Sequence, residues 1–260
     1  MLSEVIRSAT VFVFTSILFF SRLRFFVVVV FILSCGAFMD ARAQQTIFNV
    51  PSSDVLPKGR VYGELDVTWK PNDSNDNAVR RFSTFVPRIV AGVGGNVEIG
   101  LNVNGNIQPG PDATTLIPAI KWRVYNGKDN GWSVVVGDHL YLPVRNKAYD
   151  AGNYVYAQVS RAFNGGRTRV TAGGYDFSHN VVASGAHRAG GQFGFEHAVN
   201  SKFTVQADWF TGKHASGYFT PGFYIKPHPK VTLYGGYSIG NADFSKGNHF
   251  FYTAIGINFN

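Results

Sequence analysis

The chain has 260 residues, a formal charge of +8, 15% charged and 15% aromatic residues, and 29 glycines. That balance excludes a disordered polar chain and is foreign to an ordinary helix-rich domain. Lys and Arg are scattered singly, which argues against a nucleic-acid-binding arm, and the single cysteine, Cys35, leaves no disulfide or thiolate metal site downstream of it.

The first 43 residues read as a leader. Arg22, Leu23 and Arg24 precede the apolar run FFVVVVFILSCGAF, and the small-residue site Ala41, Arg42, Ala43 follows before Gln44. A positive region, an apolar region and an A-x-A site in this order specify a signal peptide cleaved after Ala43. The apolar region of about 14 residues falls short of the roughly 20 that cross a bilayer as a helix. The preceding stretch MLSEVIRSATVFVFTSILFF is more than a signal peptide needs, so the true start is expected downstream of Met1; a helical hairpin over 10–33 and lipid attachment at Cys35 are the alternatives. Four Arg and two acids fall in 1–43, so the remainder carries +6. The expected organisation is a signal peptide over 1–43, a periplasmic segment over 44–59 and a barrel over 60–260.

After Gln44 the dominant pattern has period two. Val61, Leu65, Val67 and Trp69 share a face with Gly63, opposite Tyr62, Glu64, Asp66 and Thr68. Val97, Ile99, Leu101 and Val103 oppose Glu98, Gly100, Asn102 and Asn104, and the same alternation recurs around Val205 and Leu233. Strands are predicted near 60–70, 83–94, 96–106, 114–125, 131–142, 152–163, 167–178, 188–198, 202–212, 217–226, 230–240 and 248–259. Twelve is an even number, as single-chain bacterial barrels require, and eleven tilted residues rise about 25 Å, the height of a barrel's apolar band. Soluble strands average about five or six residues, so a dozen long ones point to an all-β, antiparallel, up-and-down transmembrane barrel.

Short turns at 94–96, 163–167, 199–202 and 226–230 alternate with longer polar loops at 71–82, 142–152, 178–188 and 240–248. The short set is expected on the periplasmic side with both termini, the long set outside. Alternation alone does not decide which face points inward, and a carrier with a greasy cavity has the same period. The polar face decides it: Lys or Arg facing hydrocarbon at the midplane costs about 2–4 kcal/mol. Tyr62, Trp69, Tyr125, Trp132, Phe163 and Phe177 lie near strand ends, where an aromatic girdle is expected.

The terminal FFYTAIGINFN, with alternating Phe251, Ile255 and Ile257 and with Phe259 next to last, resembles the C-terminal assembly signal of outer-membrane barrels, although Asn260 stands where the aromatic residue normally ends the chain. The opening TIFNVPSSDVLPKGRVYGELD resembles the start of uncharacterised porin-like outer-membrane proteins. The resemblance extends from about residue 46 to the end. It implies a barrel in the outer membrane of a Gram-negative bacterium, contact with outer-membrane lipid and recognition of the last strand by the barrel-assembly machinery, and it brings no substrate or catalytic motif.

Some barrels are enzymes that use a His with a nearby Ser, so the seven histidines matter. Ser178, His179 and Asn180 are adjacent, but neighbours on an extended chain point to opposite faces, and the His-x-Ser-Asn order of the barrel enzymes is absent. His179, His187 and His249 on outer loops have no metal-specific spacing, and GVGG and NGGR run into strands rather than the helix a phosphate loop needs. No enzyme activity, cofactor, metal site or nucleic-acid partner is expected.

The inner face is the remaining functional surface. Glu64, Asp66, Glu98, Glu196 and Asp208 are expected to line it with Arg88, Lys121, Arg123, Arg161, Arg169, Arg188 and Lys226. A mildly basic lining implies weak preference for anions in a passive channel for small solutes. Small twelve-stranded porins for acidic sugars are similar in architecture and also line their lumens with Arg and Lys. The alternatives are a non-conducting structural or adhesive barrel acting through its outer loops, in which opposite charges pair across the lumen, and a soluble periplasmic carrier.

Overall fold

The computed structural model describes residues 46–73, 80–105, 113–127, 130–147, 149–241 and 248–259. The expected leader and its cleavage site, Cys35, parts of four outer loops, positions 128–129 and Asn260 lie outside these residues. Among the described residues are twelve strands: β1 (Val61–Lys70), β2 (Phe82–Gly94), β3 (Val97–Gly105), β4 (Thr114–Asn126), β5 (Trp132–Arg145), β6 (Gly152–Phe163), β7 (Thr168–Phe177), β8 (Ala189–Ala198), β9 (Phe203–Phe210), β10 (Tyr218–His228), β11 (Val231–Gly240) and β12 (Phe250–Phe259). Each pairs antiparallel with its sequence neighbours, and β1 pairs with β12, from Val61 opposite Phe259 to Trp69 opposite Phe251, which closes the barrel. Closure leaves no sheet edge, the condition for placing strands in lipid. No described helix is long and apolar enough to cross a membrane, which says nothing of strands.

The strands end within three residues of the predicted positions. The largest difference is β5, which runs on to Arg145 because Leu142 and Val144 continue its outer row past Pro143. Short connections turn where the chain can take left-handed backbone: Asn164, Gly165 and Gly166 have φ of 53°, 65° and 85°.

Burial confirms the expected sidedness. In β1 the Tyr62, Glu64 and Asp66 row is buried while Leu65 and Trp69 are exposed, and Ile89, Ile120, Trp122 and Val144 are 48–53% exposed on the outer row. Trp69 stacks on Phe251 at 4.5 Å between ring centroids, on the outer surface. Trp69, Tyr125, Trp132 and Phe163 are all exposed, as a lipid-interface girdle requires. Tyr62 and Phe177, expected in that girdle, instead point inward, at 1% and 4% exposure. Position near a strand end does not fix the face; parity does, and Tyr62 shares the parity of Glu64.

Asp138 is an exception on the outer row. It stands between Ile120 of β4 and Val155 of β6, both exposed apolar residues. A carboxyl group facing hydrocarbon is destabilising, by less than the ~2–4 kcal/mol of a midplane Arg or Lys. Asp138→Val is therefore expected to stabilise the barrel by about 1–2 kcal/mol, read as a higher denaturant midpoint in phospholipid vesicles; a lower midpoint would show that the carboxylate has a structural partner.

Candidate functional site in the barrel lumen

The residues expected to lie in the periplasm ahead of the barrel are placed differently. Residues 46–56 run inside it, with Ile47, Phe48, Val50, Ser52 and Leu56 at 0–4% exposure. The segment leaves β1 at one mouth, where Gly59 N–H donates to the Gly92 carbonyl (2.9 Å) and Gly92 N–H to the Arg60 carbonyl (2.9 Å). It then penetrates the lumen and turns back on itself. Thr46 bridges Pro51, and Ile47 N–H donates to the Val50 carbonyl at 2.8 Å.

Wall glycines make room for this strap. A Cβ on Gly92 would lie 2.1 Å from the Pro57 carbonyl oxygen, so no side chain fits where the strap enters. Gly222 and Gly236, paired across β10 and β11, form the hollow for Phe48: a Cβ on either would come within 2.7 and 3.1 Å of its ring. The ring also meets Tyr252 edge-on at 5.2 Å.

The charged residues of the inner row hold the strap in four places. Asp208 on β9 accepts three successive backbone N–H bonds with one oxygen, from Phe48 (2.9 Å), Asn49 (2.6 Å) and Val50 (2.7 Å). This is an anion in a nest of backbone donors, with the anion supplied by the wall. Beside it, Gln206 donates to the Ile47 carbonyl (2.8 Å) and the Asn49 amide donates to Thr220 Oγ1 (3.0 Å). Arg169 on β7 is clasped by two carboxylates: Glu196 of β8 receives its Nε and Nη2 at 2.6 and 2.7 Å, and Asp54 of the strap receives Nη1 and Nη2 at 2.8 and 3.0 Å. Such two-pronged pairs are the geometry that guanidinium favours.

Glu98 of β3 pairs with Lys121 of β4 at 2.8 Å and accepts the Leu56 N–H at 2.9 Å, while Lys121 Nζ donates to the Ser52 carbonyl at 3.4 Å. Arg88 of β2 binds Glu64 (2.8 Å) and Asp66 (2.9 Å), both on β1, and donates to Thr46 Oγ1 (3.0 Å). Tyr62 donates to Glu64 and lies 3.3 Å from the Tyr234 hydroxyl.

The structure thus brings Glu64, Asp66, Arg88, Glu98, Lys121, Arg169, Glu196 and Asp208 together inside the barrel. Arg123 and Lys226 share the inner parity but sit at the end of the short turns, Arg123 on Asn96 Oδ1 (3.2 Å) and Lys226 over the Tyr224 ring (5.3 Å). Two of the expected lining residues are elsewhere. Arg161 is on the outer face, stacked over Trp132 (5.0 Å) and Phe163 (4.9 Å), where an arginine covers aromatic rings and keeps its charge at the membrane interface. The parity of β6 carries the reason: Gln158 and Ser160 are buried, while Val155 and Val159 share the exposed row with Arg161. Arg188 precedes β8 and is half exposed at the loop end, bound to Asp176 (3.2 Å) and the Phe177 carbonyl (2.8 Å). Without these two, acids and bases among the expected lining residues are equal in number, and the mildly basic balance disappears.

Thr46, Phe48, Asn49, Ser52 and Asp54 were not anticipated at this site. The available signal was composition: Ile47, Phe48, Val50, Val55 and Leu56 are too apolar for a solvated tail. Toward the long-loop end, the lumen continues into an aromatic cluster of Tyr154, Tyr156, Tyr175, Phe177 and Phe210, against which the Val50 side chain packs. His214, in the β9–β10 loop, closes this cluster. Its Nδ1 accepts the Ser216 N–H (3.2 Å), and its Nε2 lies 2.6 Å from the Tyr175 hydroxyl and 2.9 Å from the Thr211 carbonyl. An accepting Nδ1 requires an unprotonated nitrogen there, and burial holds the ring's pKa below the ordinary 6.5. The unfolded chain therefore binds a proton more readily than the folded loop. Stability from this contact is complete above the ordinary histidine range and declines as pH falls below it. Protection of the 211–217 amides, taken relative to their intrinsic exchange rates at each pH, is accordingly expected to fall as pH is lowered from about 7.5 to 5, and His214→Gln is expected to remove that dependence.

Ser178, His179 and Asn180 do not form a nucleophile–base arrangement: Ser178 Oγ accepts the Asn153 N–H (2.8 Å) and the Asn180 amide donates to the Ala151 carbonyl (3.0 Å). Among the described residues no group of three or more His, Cys, Asp or Glu could hold a metal ion.

No protein-family model matches the sequence, and no curated protein matches it significantly. Solved structures do match the fold. The KdgM porin in complex with disordered oligogalacturonate aligns with a TM-score of 0.53 at 8% identity, over 77% of this chain and 98% of that chain. The COG4313 outer membrane channel from Pseudomonas putida F1 aligns with a TM-score of 0.48 at 14% identity, over 80% and 98%. Outer membrane phospholipase A from Escherichia coli aligns at 0.45 and 13% identity, over 78% and 97%. At 8% identity the likeness to the first of these shows the fold alone and leaves activity to the residues. With its closed meander of twelve strands, apolar outer row and charged interior, the chain has the fold of a porin-type outer-membrane β-barrel.

Proposed function

We propose that this protein is an outer-membrane channel through which small solutes diffuse passively. The supporting observation is the segregation of side chains: mid-strand ion pairs, amides and hydroxyls lie on the inner row, while the outer row is apolar apart from isolated exceptions such as Asp138. A water-accessible path needs that lining. Acids and bases of the expected lining are equal in number only when Arg123 and Lys226 at the short-turn mouth are counted with the deeper groups, so net selectivity is expected to be weak. What anion preference there is would come from Arg123 and Lys226 at the short-turn mouth, where charge focuses the field on entering ions.

Planar-bilayer recording tests both statements. From the barrel freed of residues 46–56, discrete conductance steps with a small anion-selective reversal potential are expected. A cation-selective reversal potential would refute the role of the two rim bases. The lumenal strap favours a second reading, a non-conducting barrel acting through its outer loops, and silence of a folded, strap-free barrel would decide for it.

A further inference from the structure

We propose that residues 46–56 are a displaceable plug that keeps the channel shut at rest. The inference rests on the channel reading and adds its regulation. Three features separate a plug from a permanent part of the wall.

First, the segment supplies no strand. β1 pairs with β12 on one side and β2 on the other, so the strap can leave without breaking a hydrogen bond of the barrel ladder. Second, its tip is self-contained: the Thr46–Pro51 bridge and the Ile47–Val50 hydrogen bond let it move as a preformed hairpin. Third, its attachment is a set of discrete latches between strap groups and wall side chains. Asp208 holds the tip, Arg169 holds Asp54, and Glu98 holds Leu56. Each latch pairs a charged wall group with backbone N–H groups or, at Asp54, with the opposite charge in a dry interior, which makes the closed arrangement specific and gives it a defined open alternative. The hinge is the mouth, where exposed Pro57, Lys58 and Gly59 connect strap to β1. Gly59 has φ of 79°, a left-handed conformation suited to the sharp re-entry of the chain.

The test compares wild type, Asp208→Ala and a variant lacking residues 46–56 in planar bilayers, each checked for the folded barrel by heat-modifiable gel mobility. Asp208→Ala leaves three N–H groups without their acceptor, and mean conductance is expected to rise about tenfold, the factor that loss of hydrogen bonding to one charged group implies. The deletion is expected to conduct continuously. If wild type already conducts as well as both folded variants, the plug is refuted and the channel stands. If neither folded variant conducts, the channel reading itself falls. Should the deletion fail to fold, Asp208→Ala alone carries the comparison, and equality with wild type overturns the proposal.

Discussion

Replacing Arg88 by Met is expected to cost the barrel about 3–5 kcal/mol of unfolding free energy, because it strands two buried carboxylates. The side chains of Arg88, Glu64 and Asp66 are 9%, 3% and 7% exposed, and the guanidinium bridges the two acids at 2.8 and 2.9 Å. Without it, Glu64 and Asp66 lie one inner position apart on β1 with no cation between them. The loss follows from uncompensated charge rather than from the intrinsic strength of the pair, since a buried ion pair taken out whole is often neutral in effect. The triple variant Arg88→Met, Glu64→Gln, Asp66→Asn should therefore recover most of the stability. Equilibrium unfolding in phospholipid vesicles, followed by tryptophan fluorescence, measures both. A single-variant loss below about 1 kcal/mol, the range of a solvated pair, would mean that water reaches this site.

Phe48→Ala has a comparable effect with a different readout. The ring is 2% exposed and fills the hollow over Gly222 and Gly236, so truncation removes about 3–5 kcal/mol of packing. That energy belongs to docking of the strap, which can detach while the ladder stays intact. Hydrogen exchange at the Phe48, Asn49 and Val50 amides is expected to quicken by about a hundredfold or more, while mid-strand amides of β6 and β7 keep their protection. Gly236→Ala approaches the same contact from the wall, placing a methyl group 3.1 Å from the ring, and should release the same amides. Uniform loss of protection across the barrel would show instead that strap and wall unfold together.

Much of the architecture was legible because a β-strand writes its sidedness into consecutive residues. Val97, Ile99 and Leu101 alternating with Glu98, Gly100 and Asn102 specify a strand, its face and its length without reference to the rest of the chain. Misassignments arose where that local rule was left. Arg161, expected inside, shares the parity of Val155 and Val159, and the rule itself puts it outside. Arg188 precedes the first residue of β8, where alternation no longer determines direction.

The strap was not legible by any periodic rule. Phe48 and Asp208 are 160 residues apart, and an extended tail with two prolines carries no pattern that names its partner. Alternation of apolar and polar residues, a property of neighbours, determined twelve strands with one oily and one wet face, and the charges on the wet face, too costly in hydrocarbon, turned the oily side outward. Closure of the sheet decided what fills the interior. Only when β1 meets β12 do Arg88, Glu98, Arg169 and Asp208 surround one narrow space, and the wall glycines leave the room in which residues 46–56 satisfy them.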